Sequence, residues 1–305
     1  MKMPSKPNIL LLYTGGTIGM VKDFETGALK SFNFKKLLQN IPELKQLDCN
    51  IETISFRNPI DSSNMNPEHW VAISEIIEEN YSQFDGFVVL HGSDTMSYSA
   101  SALSFMLENL GKPVVFTGSQ LPIGDLRTDA KENLITAIQI ASLQQKGKPV
   151  VQEVCLYFEY KLYRGNRTTK ISAEHFNAFT SPNYPSLVES GVHLNVTTSV
   201  LLQNQSSKKL LVHKELDDNV IIVKMFPGIS ETILSSIIAI PNLKGIILET
   251  YGSGNAPTED WFISILKKAA KQGLYIINVT QCSGGSVNMG QYETSTQLKE
   301  IGVIS

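Results

Sequence analysis

Side chains that could do chemistry follow directly after short apolar runs of this sequence. The run Ile9–Tyr13 is followed by Thr14–Gly19, and the run Phe87–Leu90 is followed by His91–Met96. A hydroxyl beside a tight glycine turn can act as a nucleophile, and backbone N–H groups of such a turn can hold an oxyanion. These residue types are compatible with a nucleophilic site, but they do not decide between Thr14 and Thr17 as the nucleophile.

The first turn also permits other interpretations. A glycine-rich turn after a first strand is as often a phosphate cradle, or a tight turn without chemistry. The spacing in Thr14–Gly19 matches neither GxGxxG nor GxxxxGK[ST], so neither nucleotide-binding fingerprint is present.

Ser93 and Asp94 stand at the start of a predicted helix. Either side chain could simply cap that helix, whereas an acidic group at a strand end can also bind a substrate ammonium. His91 could be a general base, but a histidine that closes a strand is more often a packed residue, and we favour packing.

The segment Tyr163–Lys170 is basic. It could be a solvated loop or a small anion-binding patch. Alternatively, Lys170 could hold charge and relay a proton if a carboxylate and a hydroxyl lie beside it.

Composition excludes several classes of function. The chain has 305 residues, 42% of them hydrophobic, and a formal net charge of -3, which gives no reason to expect a nucleic-acid or membrane partner. The three cysteines form no CxxC pair, so we expect no metal site. Two lysines precede Ile9–Tyr13, but this run is too short for a signal peptide and predicts a core strand in a cytoplasmic protein.

Apolar runs alternate with helical patterns along most of the chain. The predicted strands are Ile9–Tyr13, Ile51–Phe56, Phe87–Leu90, Val114–Thr117, Val154–Phe158, Val220–Met225, Gly245–Thr250 and Leu274–Val279. The predicted helices are 67–79, 97–110 and 258–272. Continuous Val, Ile and Leu without strict alternation is typical of strands buried on both faces, so the pattern predicts an α/β fold with a mostly parallel sheet.

A polar stretch divides this pattern. We expect an N-terminal α/β catalytic domain over 1–195, a linker over 196–218 and a C-terminal α/β domain over 219–305.

Seven motifs, taken in order, resemble the bacterial type I L-asparaginases, from about residue 9 to the last residue. They are YTGGTIGM (Tyr13–Met20), DSSNM (Asp61–Met65), LHGSDTM (Leu90–Met96), SASALSFMLENLGKP (Ser99–Pro113), LYRGNRTTK (Leu162–Lys170), YGSGNAP (Tyr251–Pro257) and VNMG (Val287–Gly290).

The resemblance implies a larger N-terminal α/β domain and a smaller flavodoxin-like C-terminal domain. It implies a cytoplasmic homodimer or dimer of dimers that hydrolyses L-asparagine without a metal or organic cofactor. Family members continue beyond the segment matching Gly302–Ser305, so we expect the C-terminal domain to be incomplete at its end.

The resemblance also assigns roles to residues of this chain. Thr17 is the expected nucleophile, and Asp61, Ser62 and Ser63 are expected to contact the α-carboxylate and amino group of the substrate. The family's Thr-Asp pair falls on Ser93 and Asp94, which are expected both to bind substrate and to take part in catalysis, and the family's lysine falls on Lys170.

This chain departs from the family pattern at three places. Ser93 replaces the usual threonine, so the hydroxyl remains while its rotamer is less restrained. Glu249 stands where some relatives have the arginine of an effector site. The loop Met20–Lys30 has no tyrosine, and we expect Tyr292 of a neighbouring subunit to supply the phenol to Thr17, the alternative being a buried core tyrosine.

Two other functions stay open from the sequence. One is an asparaginase-like subunit of a tRNA-dependent amidotransferase, although Thr17 comes too early for the added N-terminal domain of such subunits. The other is a non-catalytic amino-acid-binding protein.

Overall fold

The fold comes from a computed structural model, which describes residues 6–22, 29–31, 41–203, 208–290 and 293–305. The chain divides into two compact units, Met1–Glu215 and Leu216–Ser305. All candidate site residues except Tyr292 belong to the first unit. Of the helices in the described part of the chain, none combines the length and the apolar character needed to cross a bilayer.

The first unit contains sixteen strands and three α-helices among its described residues. The strands are β1 (Asn8–Gly15), β2 (Met20–Lys22), β3 (Leu29–Ser31), β4 (Asn50–Ile60), β5 (Gly86–Leu90), β6 (Leu107–Glu108), β7 (Val114–Thr117), β8 (Gln144–Gln145), β9 (Lys148–Pro149), β10 (Val154–Phe158), β11 (Lys161–Arg164), β12 (Thr169–Lys170), β13 (Phe179–Thr180), β14 (Val188–Ser190), β15 (Leu194–Val196) and β16 (Leu211–Val212). The helices are α1 (Pro67–Asn80), α2 (Met96–Met106) and α3 (Ala130–Ser142), and short 3₁₀ turns lie at Thr17–Gly19, Pro42–Gln46, Ser62–Asn64, Gly165–Arg167 and Thr198–Val200.

An eight-stranded sheet forms the centre of this unit, in the order β15-β14-β11-β10-β7-β5-β1-β4. The five strands from β10 to β4 run parallel, whereas β11, β14 and β15 are antiparallel to their neighbours. Because parallel strands end at the same edge, the segments that follow β1, β4, β5 and β7 meet there.

Four of the five parallel strands, β1, β5, β7 and β10, are covered on both faces, whereas the edge strand β4 has no buried residue. Leu11 and Leu134 belong to one apolar core, and Leu12 and Leu103 belong to the other. All five residues of β5 are buried, as are all five of β10. This burial explains the continuous apolar runs from which the parallel sheet is predicted, and that prediction is confirmed.

Helix α1 begins as its sequence predicts. The Asn66 side chain accepts a hydrogen bond from the backbone N–H of His69 at 3.1 Å, and His69 Nδ1 accepts from the Asn66 N–H at 3.3 Å. Pro67 occupies the first turn, where no N–H partner is needed. The two reciprocal bonds form a capping box.

The prediction that the second helix continues to residue 110 is wrong. Helix α2 ends at Met106, and Leu107–Glu108 instead pairs antiparallel with Leu211–Val212. Asn109 then takes a left-handed conformation with φ 61°. Apolar spacing favours a longer helix, but pairing with a distant segment stabilises a strand here.

The second unit is a smaller α/β unit. Its strands are β17 (Val220–Lys224), β18 (Gly245–Thr250) and β19 (Tyr275–Thr280), and its helices are α4 (Glu231–Ile238), α5 (Asp260–Lys271) and α6 (Glu293–Glu300). The three strands are parallel, and Leu248, Phe262 and Leu266 lie in a core on one face of this sheet.

The α/β class and the larger N-terminal unit are as the sequence predicts. Strands β11, β14 and β15, which widen the sheet on one side, are not foreseen from the apolar runs. The domain limits of 195 and 219 and the linker over 196–218 stay predictions; within that segment, β16 pairs with β6 of the first unit.

Candidate active site

The turn that carries Thr17 is held against two other strand ends. Gly16 has φ 86°, a conformation that favours glycine, and its N–H donates to the carbonyl of Ile60 at 3.2 Å. A Cβ added to Gly16 would lie 2.5 Å from the backbone nitrogen of Gly92. The backbones before Thr17 and before Ser93 are therefore in direct contact.

Ser62 joins the same cluster of backbones. A Cβ added to Gly92 would lie 2.4 Å from the Ser62 hydroxyl oxygen, so only glycine fits there. The Thr95 hydroxyl donates to the Ser62 carbonyl at 2.7 Å and ties the two turns together. The turns carrying Thr17, Ser62 and Ser93 thus converge at one edge of the sheet.

The structure distinguishes the two threonines of the first turn. Thr14 is 1% exposed, and its hydroxyl donates to the Leu90 carbonyl at 2.9 Å. Thr17 begins a 3₁₀ turn and is partly exposed. Thr14 therefore acts as a tie between β1 and β5, whereas Thr17 is accessible to a small molecule.

Lys170 bridges Ser93 and Asp94. Its ammonium donates to the Ser93 hydroxyl oxygen at 2.9 Å and to a carboxylate oxygen of Asp94 at 2.7 Å. The Lys170 side chain is only 17% exposed, whereas that of Asp94 is 65% exposed. The lysine charge is thus held inside the site, while the carboxylate remains open to a ligand.

Neither Ser93 nor Asp94 caps helix α2. The residue at the N-cap of α2 is Thr95, and no side chain caps the helix there. The contact of Lys170 with both residues excludes a merely solvated role for this lysine, which lies beside the hydroxyl and the carboxylate that a proton relay requires.

Lys170 is positioned by a buried ion pair that precedes it. Arg164 pairs with Glu153, whose side chain is 3% exposed, and Glu153 also accepts from the Leu202 N–H at 2.8 Å. After a 3₁₀ turn, strand β12 places Lys170 opposite Phe179 of β13. The ion pair and the short ladder fix the path of the chain between β11 and the site.

Asp61 and Ser63 form an exposed acidic turn beside Ser62. One Asp61 oxygen accepts from the Ser63 N–H at 3.0 Å and from the Ser63 hydroxyl at 2.8 Å. These two hydrogen bonds, the backbone bond first, lower the pKa of Asp61. The carboxylate is therefore well suited to stay ionised and to face a cation.

His91 is a packed residue and not an open base. It is fully buried, its Nδ1 lies 2.7 Å from the Gly92 carbonyl, and its Nε2 lies 2.8 Å from the Ser99 hydroxyl. The Trp70 indole N–H donates to the same hydroxyl at 2.9 Å. Burial lowers the pKa of His91 to about 4, so the ring is neutral at physiological pH.

Gln120 is a site residue to which the sequence assigned no role. Its side-chain carbonyl accepts the Ser93 hydroxyl proton at 3.1 Å. The available signal was its position three residues after the end of β7, at the sheet edge where the other turns meet.

Two residues to which the sequence drew attention, Tyr292 and Glu249, are not among the residues of the converging turns. Tyr292 lies outside the described residues, as does the part of the Met20–Lys30 loop from 23 to 28. Glu249 lies near the end of β18 in the second unit. In the part of the chain that the structure describes, no group of three or more His, Cys, Asp or Glu side chains is placed to hold a metal ion.

Comparison with known proteins gives two adjacent family matches. The family described as "Asparaginase, N-terminal" matches residues 8–201, and the family described as "Glutaminase/Asparaginase C-terminal domain" matches residues 219–305. Together they cover most of the chain, and they confirm the predicted asparaginase-like two-domain fold.

Individual relatives agree with these matches. L-asparaginase 1 of Escherichia coli K12 is 43% identical over 300 residues, which cover 98% of this chain and 87% of that protein. The 60 kDa lysophospholipase of Mus musculus is 38% identical over 324 residues, covering 99% of this chain and 56% of that protein.

A solved structure shows the same architecture. L-asparaginase I from Vibrio cholerae superposes with a TM-score of 0.89 at 40% identity, covering 98% of this chain and 88% of that one. The family matches, the identities and this superposition agree: the chain belongs to the asparaginase family.

Proposed function

We propose that this protein is an L-asparaginase, which hydrolyses L-asparagine to L-aspartate and ammonia with Thr17 as nucleophile. The observation that carries the proposal is the Lys170 ammonium bridging Ser93 and Asp94, on the turn that packs against the one carrying Thr17. An accessible hydroxyl beside a lysine–carboxylate pair is an arrangement that activates a weak nucleophile.

The first half of the reaction forms an ester. The Thr17 oxygen attacks the side-chain amide carbon of asparagine, and backbone N–H groups of the converging turns stabilise the developing oxyanion. The C–N bond breaks, the amide nitrogen takes up a proton and leaves as ammonia, and a β-aspartyl ester remains on Thr17. The proton lost by the Thr17 hydroxyl balances the proton gained by the leaving nitrogen.

The second half hydrolyses this ester. A water placed near Ser93 attacks the ester carbon while Lys170 takes up the water's proton and passes one of its own protons to the Asp94 carboxylate. As the ester C–O bond breaks, the pair returns this proton to the Thr17 oxygen and aspartate is released. Ser93 is suited to hold this water because its oxygen accepts a hydrogen bond from Lys170 while its hydroxyl donates one to Gln120. Lys170 is held by this network and is not free in solvent, so its charge stays in place during both steps.

The turn of Asp61, Ser62 and Ser63 supplies the contacts for the common part of an amino acid. The lowered pKa of the Asp61 carboxyl keeps that group charged for the α-ammonium of the substrate. The Ser63 hydroxyl, which donates to Asp61 here, can turn to the α-carboxylate. Asp94, with its largely exposed side chain, is the second contact for the ammonium.

Four further features belong to the proposal: the assembly, the compartment, the absence of a cofactor and the role of Tyr292. The protein acts as a homodimer or a dimer of dimers in the cytoplasm, without a cofactor. Tyr292 of the neighbouring subunit supplies the phenol hydroxyl that hydrogen-bonds Thr17, because no tyrosine is present in the loop Met20–Lys30. Sedimentation velocity of the purified protein tests the assembly; a monomer at micromolar concentration would contradict it.

Ammonia release from free L-asparagine, and separately from L-glutamine, tests the function. We expect turnover of asparagine by the purified chain without any tRNA or partner subunit, which would exclude the amidotransferase and binding-protein alternatives. No ammonia from asparagine would refute the proposal. Fatty-acid release from lysophosphatidylcholine, measured in parallel, tests the activity that the name of the mouse relative raises.

A further inference from the structure

We infer that Gln120 is a positioning residue, which orients the Ser93 hydroxyl. In this orientation one lone pair of the Ser93 oxygen is left for the reaction, where it can accept a hydrogen bond from the attacking water. The inference rests on the proposed function and extends it to a residue with no assigned role. It starts from the number of hydrogen bonds that one hydroxyl can make.

A serine hydroxyl has one proton to donate and two lone pairs to accept with. Lys170 can only donate, and its ammonium takes one lone pair of Ser93 at 2.9 Å. The side-chain carbonyl of Gln120 can only accept, and it takes the proton at 3.1 Å. One lone pair of Ser93 therefore remains, and it can accept a hydrogen bond from a water that is losing its other proton.

The orientation of the Gln120 amide is set by its second contact. Its amide nitrogen donates to the backbone carbonyl of His175 at 3.2 Å. If the amide were turned over, its oxygen would face that carbonyl oxygen, and neither could donate. The carbonyl end of Gln120 must therefore face Ser93.

The backbone of Gln120 is fixed in turn by a buried carboxylate. Asp129 is 7% exposed and accepts from the Gln120 N–H at 2.9 Å and from the Leu121 N–H at 3.2 Å. Asn133 also donates to Asp129, at 3.3 Å, and to the Gly118 carbonyl at 3.0 Å. The whole turn after β7 is thus held to the start of α3, and Gln120 has little freedom to leave Ser93.

This support matters because residue 93 is a serine in this chain. A β-branched threonine restricts its own χ1 rotation, whereas serine rotates more freely and depends on its hydrogen-bond partners for its direction. The structure supplies two such partners, Lys170 as donor and Gln120 as acceptor.

The test is steady-state asparagine hydrolysis by Gln120→Met, in the natural protein and in a Ser93→Thr background. Methionine keeps the length of the side chain but cannot accept the hydroxyl proton. We expect kcat to fall about 3- to 10-fold in the Ser93 protein, as for one lost hydrogen bond, with KM within about 2-fold. In the Ser93→Thr background the loss should shrink to about 2-fold or less, because the methyl group restrains χ1.

The matched control is Gln139→Met, which makes the same chemical change on an exposed face of α3 and should leave kcat and KM unchanged. Gln120→Ala is a second variant, without new bulk, if the methionine variant melts below the assay temperature. Unchanged kcat in a folded Gln120 variant, an effect on KM alone, or equal losses in both backgrounds would overturn the inference. A natural protein that releases no ammonia would instead overturn the proposed function, and this inference with it.

Discussion

Two threonines three residues apart should respond to substitution in opposite ways. Thr17 is partly exposed at the start of a 3₁₀ turn, so Thr17→Ala should change the free energy of unfolding by no more than about 0.5 kcal/mol. Asparagine turnover should nevertheless fall by roughly a thousand-fold or more, because the proposed nucleophile is removed.

Thr14→Val should show the reverse pattern. The Thr14 hydroxyl is buried and donates to the Leu90 carbonyl at 2.9 Å, and valine has a similar shape without the donor. Losing this bond inside the sheet should cost about 1–3 kcal/mol. A loss of about 2 kcal/mol lowers Tm by roughly 4–8 °C for a unit of this size.

Both variants can be measured with ammonia release and thermal unfolding monitored by circular dichroism. Thr14→Val assayed well below its Tm should keep kcat within a few-fold of the natural protein. The reasoning is refuted if Thr17→Ala retains more than a small fraction of the activity while folded. It is also refuted if Thr14→Val leaves Tm unchanged and abolishes turnover, since that result would exchange the two roles.

Lys170→Met should lower kcat far more than it raises KM, and a Lys170 variant altered only in KM would make it a binding residue. Asp94→Asn should impair both kcat and KM, because the exposed Asp94 carboxylate is also the proposed contact for the substrate ammonium. Tyr292→Phe should lower kcat strongly, and normal kcat would show that Thr17 is activated without this phenol. The rate should depend hyperbolically on asparagine concentration, because Glu249 would repel the carboxylate of an effector. A Hill coefficient clearly above one contradicts this prediction, and Glu249→Arg is the variant that tests the role of the charge. Ring-nitrogen NMR spectra should show that His91 stays neutral until the pH approaches its pKa of about 4. The pKa of His91 in the folded protein lies below its value in the unfolded chain, so the contribution of the neutral ring to stability is complete above pH 6.5 and is lost as the pH falls towards 4. The corresponding change in the free energy of unfolding is about 3 kcal/mol. A ring that titrates near 6.5 contradicts the buried placement.

Much of the fold could be predicted from hydrophobic pattern. The central parallel strands β1, β5, β7 and β10 are buried on both faces, so the sequence of Phe87–Leu90 or Val154–Phe158 is apolar throughout and leaves little choice of structure. The start of α1 at residue 67 was also predictable, because Asn66 and Pro67 act within one turn as an N-cap and a first helical residue. The short antiparallel strands, such as β6 and β16, were not foreseen, because each is only two residues long and depends on its distant partner.

For the candidate site, too, one part was predictable from the sequence and another part was not. The sequence places Ser93, Asp94 and Lys170 in motifs that resemble the asparaginases, but it does not show that the Lys170 ammonium joins Ser93 to Asp94. The sequence likewise leaves Thr14 and Thr17 equivalent until a family resemblance is used. Burial of Thr14 against Leu90 separates them physically.

The sequence by itself determined the α/β class, the apolar strands and the residue types available at one edge of the sheet, because these depend on local pattern and on which residues each short segment contains. Only the tertiary structure decided which hydroxyl is accessible, which carboxylate meets Lys170 and which amide orients Ser93. Those outcomes depend on contacts between segments such as Gly16 and Gly92, or Ser93 and Lys170, which lie about 75 residues apart in the chain. No local pattern encodes such a contact, because it exists only after the strands between the two segments have paired.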